Sequence, residues 1–407
     1  MNILFIASDN NRYSGAFLSM VKLTSLLKYK YHHNLLVVLP RKGSGKELLD
    51  AEGIENTFVR SYTWTIAINE QDQFLQKLKS FVKSVITEDN VTKLIKLIER
   101  NKIDLVHLNT SWTYIGALAA IKTNTPFIWH IREFLEEDQG RMFRKQNKAY
   151  ALMRRANKIV TISNSLFKKY APVLGKDKLV VIYNGIDPLK YMNKNHLIFV
   201  QNKVKFLMVG NLNNESKGQW LAINACIKLL RKGYTNFQLQ LVGEGRGPYF
   251  DRLKKIVSDA QAEEYIIFCG LSNDMSFYYS NSDIFLMCSK AEAFGRVTVE
   301  AMLAGCLVIG AKNAGTLDLI EDELTGLLYE SGNVDNLVEK IEFALDNKDK
   351  MKYIAHEGQQ YMLKNMTADI NAEKINTLYR EIIGGAWYKL PRNVSLHVFA
   401  SERMACA

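Results

Sequence analysis

Two glutamates stand eight residues apart in Ser289-Lys290-Ala291-Glu292-Ala293-Phe294-Gly295-Arg296-Val297-Thr298-Val299-Glu300, just after an apolar run at residues 284–287. An apolar run, a glycine and then a helical pattern predict a strand, a tight turn and a helix. Gly295 permits a sharp turn and close backbone approach. The first N–H groups of such a helix, around Arg296, Val297 and Thr298, lack intrahelical acceptors and suit a diphosphate. Glu292 precedes the helix and Glu300 lies two turns within it, so the carboxylates face different parts of a bound molecule. Glu300 can accept from ribose hydroxyls, and Glu292 can hold sugar hydroxyls. Two surface glutamates on a solvated helix are the alternative; the flanking Phe-Gly, Glu-Ala-Met and Ala-Gly pieces weigh against it. A second polar group, His130, closes an apolar run at 127–130, and a strand's carboxyl end is where ligands bind in open parallel sheets. Arg132 and Glu133, next to it, are expected to form a local ion pair.

The elements that must hold these groups alternate between strand and helix. Apolar runs at 2–8, 35–39, 104–108, 127–130, 159–162 and 179–182 read as buried strands, with amphipathic stretches between them, notably 74–99 and 143–156. That alternation implies a parallel sheet covered on both faces. Tyr183-Asn184-Gly185-Ile186-Asp187-Pro188 interrupts it with turn and linker dipeptides. A second series follows at 206–209, 239–242, 266–268, 284–287, 307–309 and 326–328, and residues 334–383 are almost wholly helical in pattern. The fold class is therefore α/β, with two doubly wound domains facing across a cleft: 1–183, 184–383 with terminal helices, and an atypical tail at 384–407 that is expected to pack poorly.

The Glu292–Glu300 segment resembles the E-x7-E motif of the retaining glycosyltransferases of family 4, whose fold is GT-B. Other pieces match in the same order. Val209-Gly210-Asn211-Leu212 through Lys217-Gly218 is similar to the family's phosphate loop, and Val242-Gly243-Glu244-Gly245 to its next glycine turn. Ala314-Gly315-Thr316 resembles a late glycine segment, Ser14-Gly15-Ala16 the turn after the first strand, and Asn184-Gly185-Ile186-Asp187 the linker. Trp129-His130-Ile131-Arg132-Glu133 resembles the histidine segment of polysaccharide-building members. The likeness runs over roughly residues 1–380. It implies Gly15, Asn211, Lys217, Phe294, Gly295, Arg296, Val297 and Glu300 as donor-binding residues, and His130, Glu292 and Lys217 as catalytic ones. The family usually carries Arg where this chain has Asn211, so a bidentate phosphate ligand is replaced by a neutral amide. Arg296 is a candidate to compensate; an unusual donor or an inactive homologue are the other readings. The resemblance implies a nucleotide-diphosphate sugar as co-substrate, no cofactor, no metal, and a saccharide acceptor, lipid-linked or free. A nucleotide-sugar epimerase of the same fold is the rival enzyme class.

The remaining features bound the partners. The net charge of +11 is concentrated in residues 1–185, where 28 Lys and Arg face 16 Asp and Glu. Residues 141–158 hold Arg141, Arg144, Lys145, Lys148, Arg154, Arg155 and Lys158 with no acidic residue. Read as a basic amphipathic helix with Met142, Phe143 and Tyr150 interleaved, they fit an anionic membrane surface. No RNA- or DNA-binding pattern accompanies the charge, so no nucleic acid partner is expected. Four of the five cysteines (Cys406 is the exception) sit in apolar settings and none forms a C-x-x-C pair, which predicts core thiols in a reducing, cytoplasmic compartment, peripheral to the membrane at most. Gly243-Glu244-Gly245-Arg246-Gly247 lacks the spacing of a dinucleotide fingerprint.

Overall fold

The computed structural model describes residues 1–68, 74–193 and 196–385, apart from the side chains of 74–86. Most of the 384–407 tail, with Cys406, lies outside the described residues. The first half forms seven parallel strands: β1 (Asn2–Ala7), β2 (Asn34–Leu39), β3 (Glu55–Phe58), β5 (Leu105–Asn109), β6 (Phe127–Ile131), β8 (Lys158–Thr161) and β9 (Leu179–Val181). Their order is β3-β2-β1-β5-β6-β8-β9. β4 (Thr65–Ala67) and β7 (Arg141–Phe143) pair antiparallel beside it. The second half forms β10 (Val204–Val209), β11 (Phe237–Val242), β12 (Ile266–Gly270), β13 (Ile284–Met287), β14 (Leu307–Ala311) and β15 (Leu327–Tyr329), all parallel, in the order β12-β11-β10-β13-β14-β15. Sequence order reverses between β1 and β5 and between β10 and β13. In such sheets the crevice outside the carboxyl ends at that reversal is the ligand site.

Nearly every residue of β1, β2, β5 and β6 is buried, as expected for strands covered on both faces. β3 carries the edge with Glu55, Asn56 and Thr57, too polar to show as a strand in the sequence. Among the described cysteines, Cys226, Cys288 and Cys306 are buried and Cys269 is half-buried, all as free thiols.

Two expectations are corrected. Residues 141–158 are not one amphipathic helix: only Gln146–Met153 is helical. Phe143 is 1% exposed and packs edge-on against Trp64, so it belongs to the core and cannot insert into a bilayer. Arg141 donates to the Thr65 carbonyl, Arg154 to that of Val173 and Lys158 to that of Asp177, which spreads the charges over different faces. Position in the chain groups the last helix, Ala368–Gly384, with the second domain. It packs instead with the first: Ala372, Ile375, Leu378 and Tyr379 share a core with Ile3, Phe5, Val37 and Leu105. Burying those four apolar side chains outweighs sequence proximity.

The chain therefore crosses between the domains twice, and the crossings touch. Ile186 N–H donates to the Met366 carbonyl at 3.0 Å, and Ala368 N–H to the Ile186 carbonyl at 2.9 Å. A Cβ on Gly185 would lie 2.4 Å from the Ala368 Cα, so only glycine allows this approach.

Candidate active site

The two reversal points face each other. From the first domain, Ser14 caps Gly15–Tyr29, the first helix after β1, its side chain accepting from Phe17 N–H. From the second, Gly295 adopts φ +91° and opens the helix Arg296–Leu303 after β13. A Cβ on Gly15 would sit 3.2 Å from the Arg296 Cδ. The Arg296 guanidinium bridges the cleft, donating to Ser19 Oγ at 2.8 Å and to Glu300 Oε1 at 3.2 Å. Glu300, 6% exposed, also accepts from the Tyr279 hydroxyl at 3.0 Å. Burial and then the Glu300 charge push the Tyr279 phenol well above its usual range, so it stays a donor.

Lys217 ends a short turn after β10, with Gly218 in the left-handed region at φ +75°. Its Nζ lies 2.9 Å from Glu292 and 3.9 Å from Asp138 of the first domain. Burial alone would lower its pKa, but Glu292 and Asp138 outweigh that and hold it above the ordinary lysine value. Asp138 is itself raised, by burial against the pull of Lys217 and with the push of Glu292. Asn211 does not reach this cluster through a hydrogen bond of its own. Its Oδ1 accepts from Asn213 N–H at 2.7 Å and its carbonyl from Gln219 at 2.8 Å, so it closes the loop. Phe294 is 2% exposed and packs near Tyr183, which makes its side chain a support beneath the turn. Val297 is half-buried in the first helical turn, where only its backbone N–H is left for an anion. The Thr298 hydroxyl in the same turn is buried without a protein partner among the described residues.

His130 is fully buried in β6, with Nδ1 3.1 Å from His107 Nε2 and 3.2 Å from Arg132 Nη2. Burial, then Arg132, then His107 hold its pKa well below the usual value, so it is neutral. The expected Arg132–Glu133 ion pair gives way to other contacts. The Arg132 guanidinium donates to Asn109 and Asn184 and faces His130. Glu133 accepts from the Ser111 N–H at 2.7 Å, the Ser111 hydroxyl and the Arg132 backbone N–H. Burial brings the Arg132 pKa down to about 9, with Glu133 opposing and Arg296 across the cleft adding to the fall.

The structure thus brings Gly15, Lys217, Glu292, Gly295, Arg296, Val297 and Glu300 around the facing reversal points, with His130 in a neighbouring strand. Sequence reasoning missed Asp138, Ser19, Tyr279, His107 and Tyr379. His107 alone left a signal, a polar residue inside the apolar run Leu105–Asn109 as His130 is in Phe127–Ile131. The others arrive through tertiary contact from distant segments.

The comparisons with known proteins agree with this geometry. The family model described as "Glycosyl transferases group 1" matches residues 192–361, and "Glycosyltransferase Family 4" matches residues 77–189. An uncharacterised glycosyltransferase of Methanocaldococcus jannaschii is 24% identical over 72% of this chain and 79% of its own length. The capsular polysaccharide biosynthesis glycosyltransferase CapM of Staphylococcus aureus is 25% identical over 72% and 81%. Among solved structures, HepE of Anabaena in complex with UDP and glucose superposes with a TM-score of 0.76, at 23% identity, over 93% of this chain and 99% of that one. With one glycosyltransferase model on each of its facing domains, the chain belongs to the family 4-like glycosyltransferases of GT-B fold.

Proposed function

We propose that this protein transfers a sugar from a nucleotide-diphosphate donor to a saccharide acceptor in cell-surface polysaccharide synthesis, with retention at the anomeric carbon. The observation that carries the reading is the pairing of cations and carboxylates across the two facing reversal points. Lys217 and the N–H groups of Arg296 and Val297 take the diphosphate, a role that asks for no metal ion. Arg296 supplies the guanidinium that Asn211 lacks. Glu300 accepts from the ribose, Glu292 from the sugar, and His130 contacts the sugar from the first domain. In the transfer step the bond from the anomeric carbon to the diphosphate oxygen breaks, its electron pair leaving with the diphosphate. The acceptor hydroxyl oxygen bonds that carbon on the same face, and its proton passes to the departing diphosphate.

In the structure these groups neutralise one another: Lys217 pairs with Glu292, and Arg296 with Glu300. A donor must exchange those contacts for its own, which couples binding to rearrangement of the cleft. The names of CapM and HepE's bound UDP and glucose support the same choice of chemistry. The exposed Arg144 and Lys145 favour an acceptor carried on an anionic membrane surface.

The test is a panel of nucleotide sugars, beginning with UDP-glucose, read by protection against thermal unfolding. The sugar that protects is then incubated without acceptor. Conversion of the sugar ring while it stays on the nucleotide would establish an epimerase instead. Protection by none of the panel would remove the donor-site assignment.

A further inference from the structure

His107 and Tyr379 take no part in the chemistry assigned above, yet both are fully buried beside it. His107 lies within β5, stacked on Phe5 with ring centroids 4.4 Å apart. Its Nδ1 is 2.5 Å from the Tyr379 hydroxyl, and its Nε2 is 3.1 Å from His130 Nδ1. Tyr379 comes from Ala368–Gly384, the helix that crosses back from the second domain. Arg132 Nη2 approaches the same His130 Nδ1 at 3.2 Å. The other ring nitrogen, His130 Nε2, is buried with no protein partner among the described residues.

Arg132 decides the direction of this chain of hydrogen bonds. A guanidinium can only donate, so the His130 Nδ1 it faces must accept. A neutral imidazole that accepts at Nδ1 carries its proton on Nε2. His107 Nε2, facing the same acceptor, must then be the donor. That leaves His107 Nδ1 as a lone pair, and Tyr379 donates to it. The reverse order would set a His130 N–H against the guanidinium, two donors 3.2 Å apart with no acceptor between them.

We propose that Tyr379, His107 and Arg132 are positioning residues that hold His130 as its Nε2–H tautomer, a buried donor reserved for an oxygen acceptor on the transferred sugar. This rests on the reading that His130 faces that sugar. The suppressed basicity of both histidines is consistent with it, since an imidazolium beside Arg132 would abolish the acceptor. A buried donor left unpaired is costly, and a sugar oxygen would satisfy it when the donor is bound. The last helix thereby acts on the chemistry of a strand in the first domain.

The direct test is a long-range proton–nitrogen correlation spectrum of the full chain labelled with 15N only in its histidine rings. His130 is assigned by the signal lost in His130→Asn. The expected result is a protonated Nε2 and a bare Nδ1 in both His130 and His107. A proton on Nδ1 of His130, or an imidazolium, overturns the proposal. Turnover gives a second arm, measured as UDP release from UDP-glucose or as release from whichever nucleotide sugar protects best. Tyr379→Phe should lower kcat about two- to tenfold, the worth of one hydrogen bond, with the donor KM unchanged. His107→Gln, whose amide can still donate, should rescue most of the turnover that His107→Leu loses. His107→Glu, which can only accept when ionised, should pull the proton onto His130 Nδ1 and not rescue. Equal turnover in the Gln and Glu variants refutes the relay. Wild-type turnover in His130→Ala would instead remove the sugar contact, while the labelled spectrum still decides the tautomer.

Discussion

Replacing Lys217 with methionine isolates the charge proposed to meet the diphosphate. The side chain keeps its length and loses its ammonium. In the structure that ammonium has Glu292 at 2.9 Å and Asp138 at 3.9 Å, with 26% of the side chain exposed. Binding a diphosphate therefore exchanges carboxylate contacts for phosphate contacts. A hydrogen bond to a charged group is worth about 1.5–3 kcal/mol net. Exchange alone would place the loss near the lower end. In the variant, however, Glu292 and Asp138 keep their charges, lose their cation and face the incoming diphosphate with the same sign. That moves the expected loss toward the upper end, about 3 kcal/mol, or roughly 100-fold in Kd. Asn211→Ala should change Kd by less than about threefold, because Asn211 spends its Oδ1 on the loop's own backbone. Calorimetric titration with the nucleoside diphosphate of whichever nucleotide sugar protects the protein measures both, and its release from that sugar nucleotide gives the matching turnover. Binding of that diphosphate by Lys217→Met at wild-type affinity would refute the phosphate assignment and leave Lys217 as an ion-pair residue of the domain interface.

Glu300→Gln should weaken binding of the same diphosphate by about 1.5–3 kcal/mol, since the amide keeps an acceptor for Tyr279 but presents N–H groups to Arg296 or the ribose. Glu292→Ala should lower kcat more than affinity, and equal kinetics for wild type and both variants would sink the pairing of roles. His107 and His130 are buried neutral, so the unfolded chain binds protons more readily than the folded one below about pH 6.5. Their contribution is fully present above that pH and is lost as pH falls, by up to about 1.4 kcal/mol per pH unit for each. Urea unfolding between about pH 6.5 and 5.5 should show a steep fall that His107→Gln makes shallower; a flat profile would contradict neutral burial. Neutralising Arg144, Lys145 and Lys148 together should release the protein from anionic vesicles, at about 1 kcal/mol per charge. Equal co-sedimentation of wild type and triple variant would reject these three residues as the anchor.

The fold was readable because buried parallel strands are written as unbroken apolar runs. Phe127–Ile131 and Ile284–Met287 are such runs, and each was placed within a residue or so. Gly295 was readable for a local reason too: a glycine between strand and helix marks a turn that other residues resist. Where meaning depended on partners far along the chain, the pattern said little. Arg141–Phe143 looks helical in isolation and becomes a strand because Thr65–Ala67 is there to pair with it. Arg132 and Glu133 are adjacent, yet Asn184 and Ser111 draw them apart. Tyr379 lies 272 residues from His107, and nothing in its own surroundings announces the contact.

The return of the last helix to the first domain also governs how this protein can be made. Synthesis runs from the amino end, and domains usually fold as they emerge from the ribosome. Here the first sheet is finished when Val181 emerges, but the helix that completes the core of Ile3, Phe5 and Val37 is not. It emerges only after the whole second domain has been translated. Until then the apolar side chains that meet Ala372, Ile375, Leu378 and Tyr379 lack that partner on the nascent chain and are open to chaperones or to a neighbouring copy. Removing residues 368–385 should therefore yield a chain that aggregates, rather than a soluble first domain with a shortened partner.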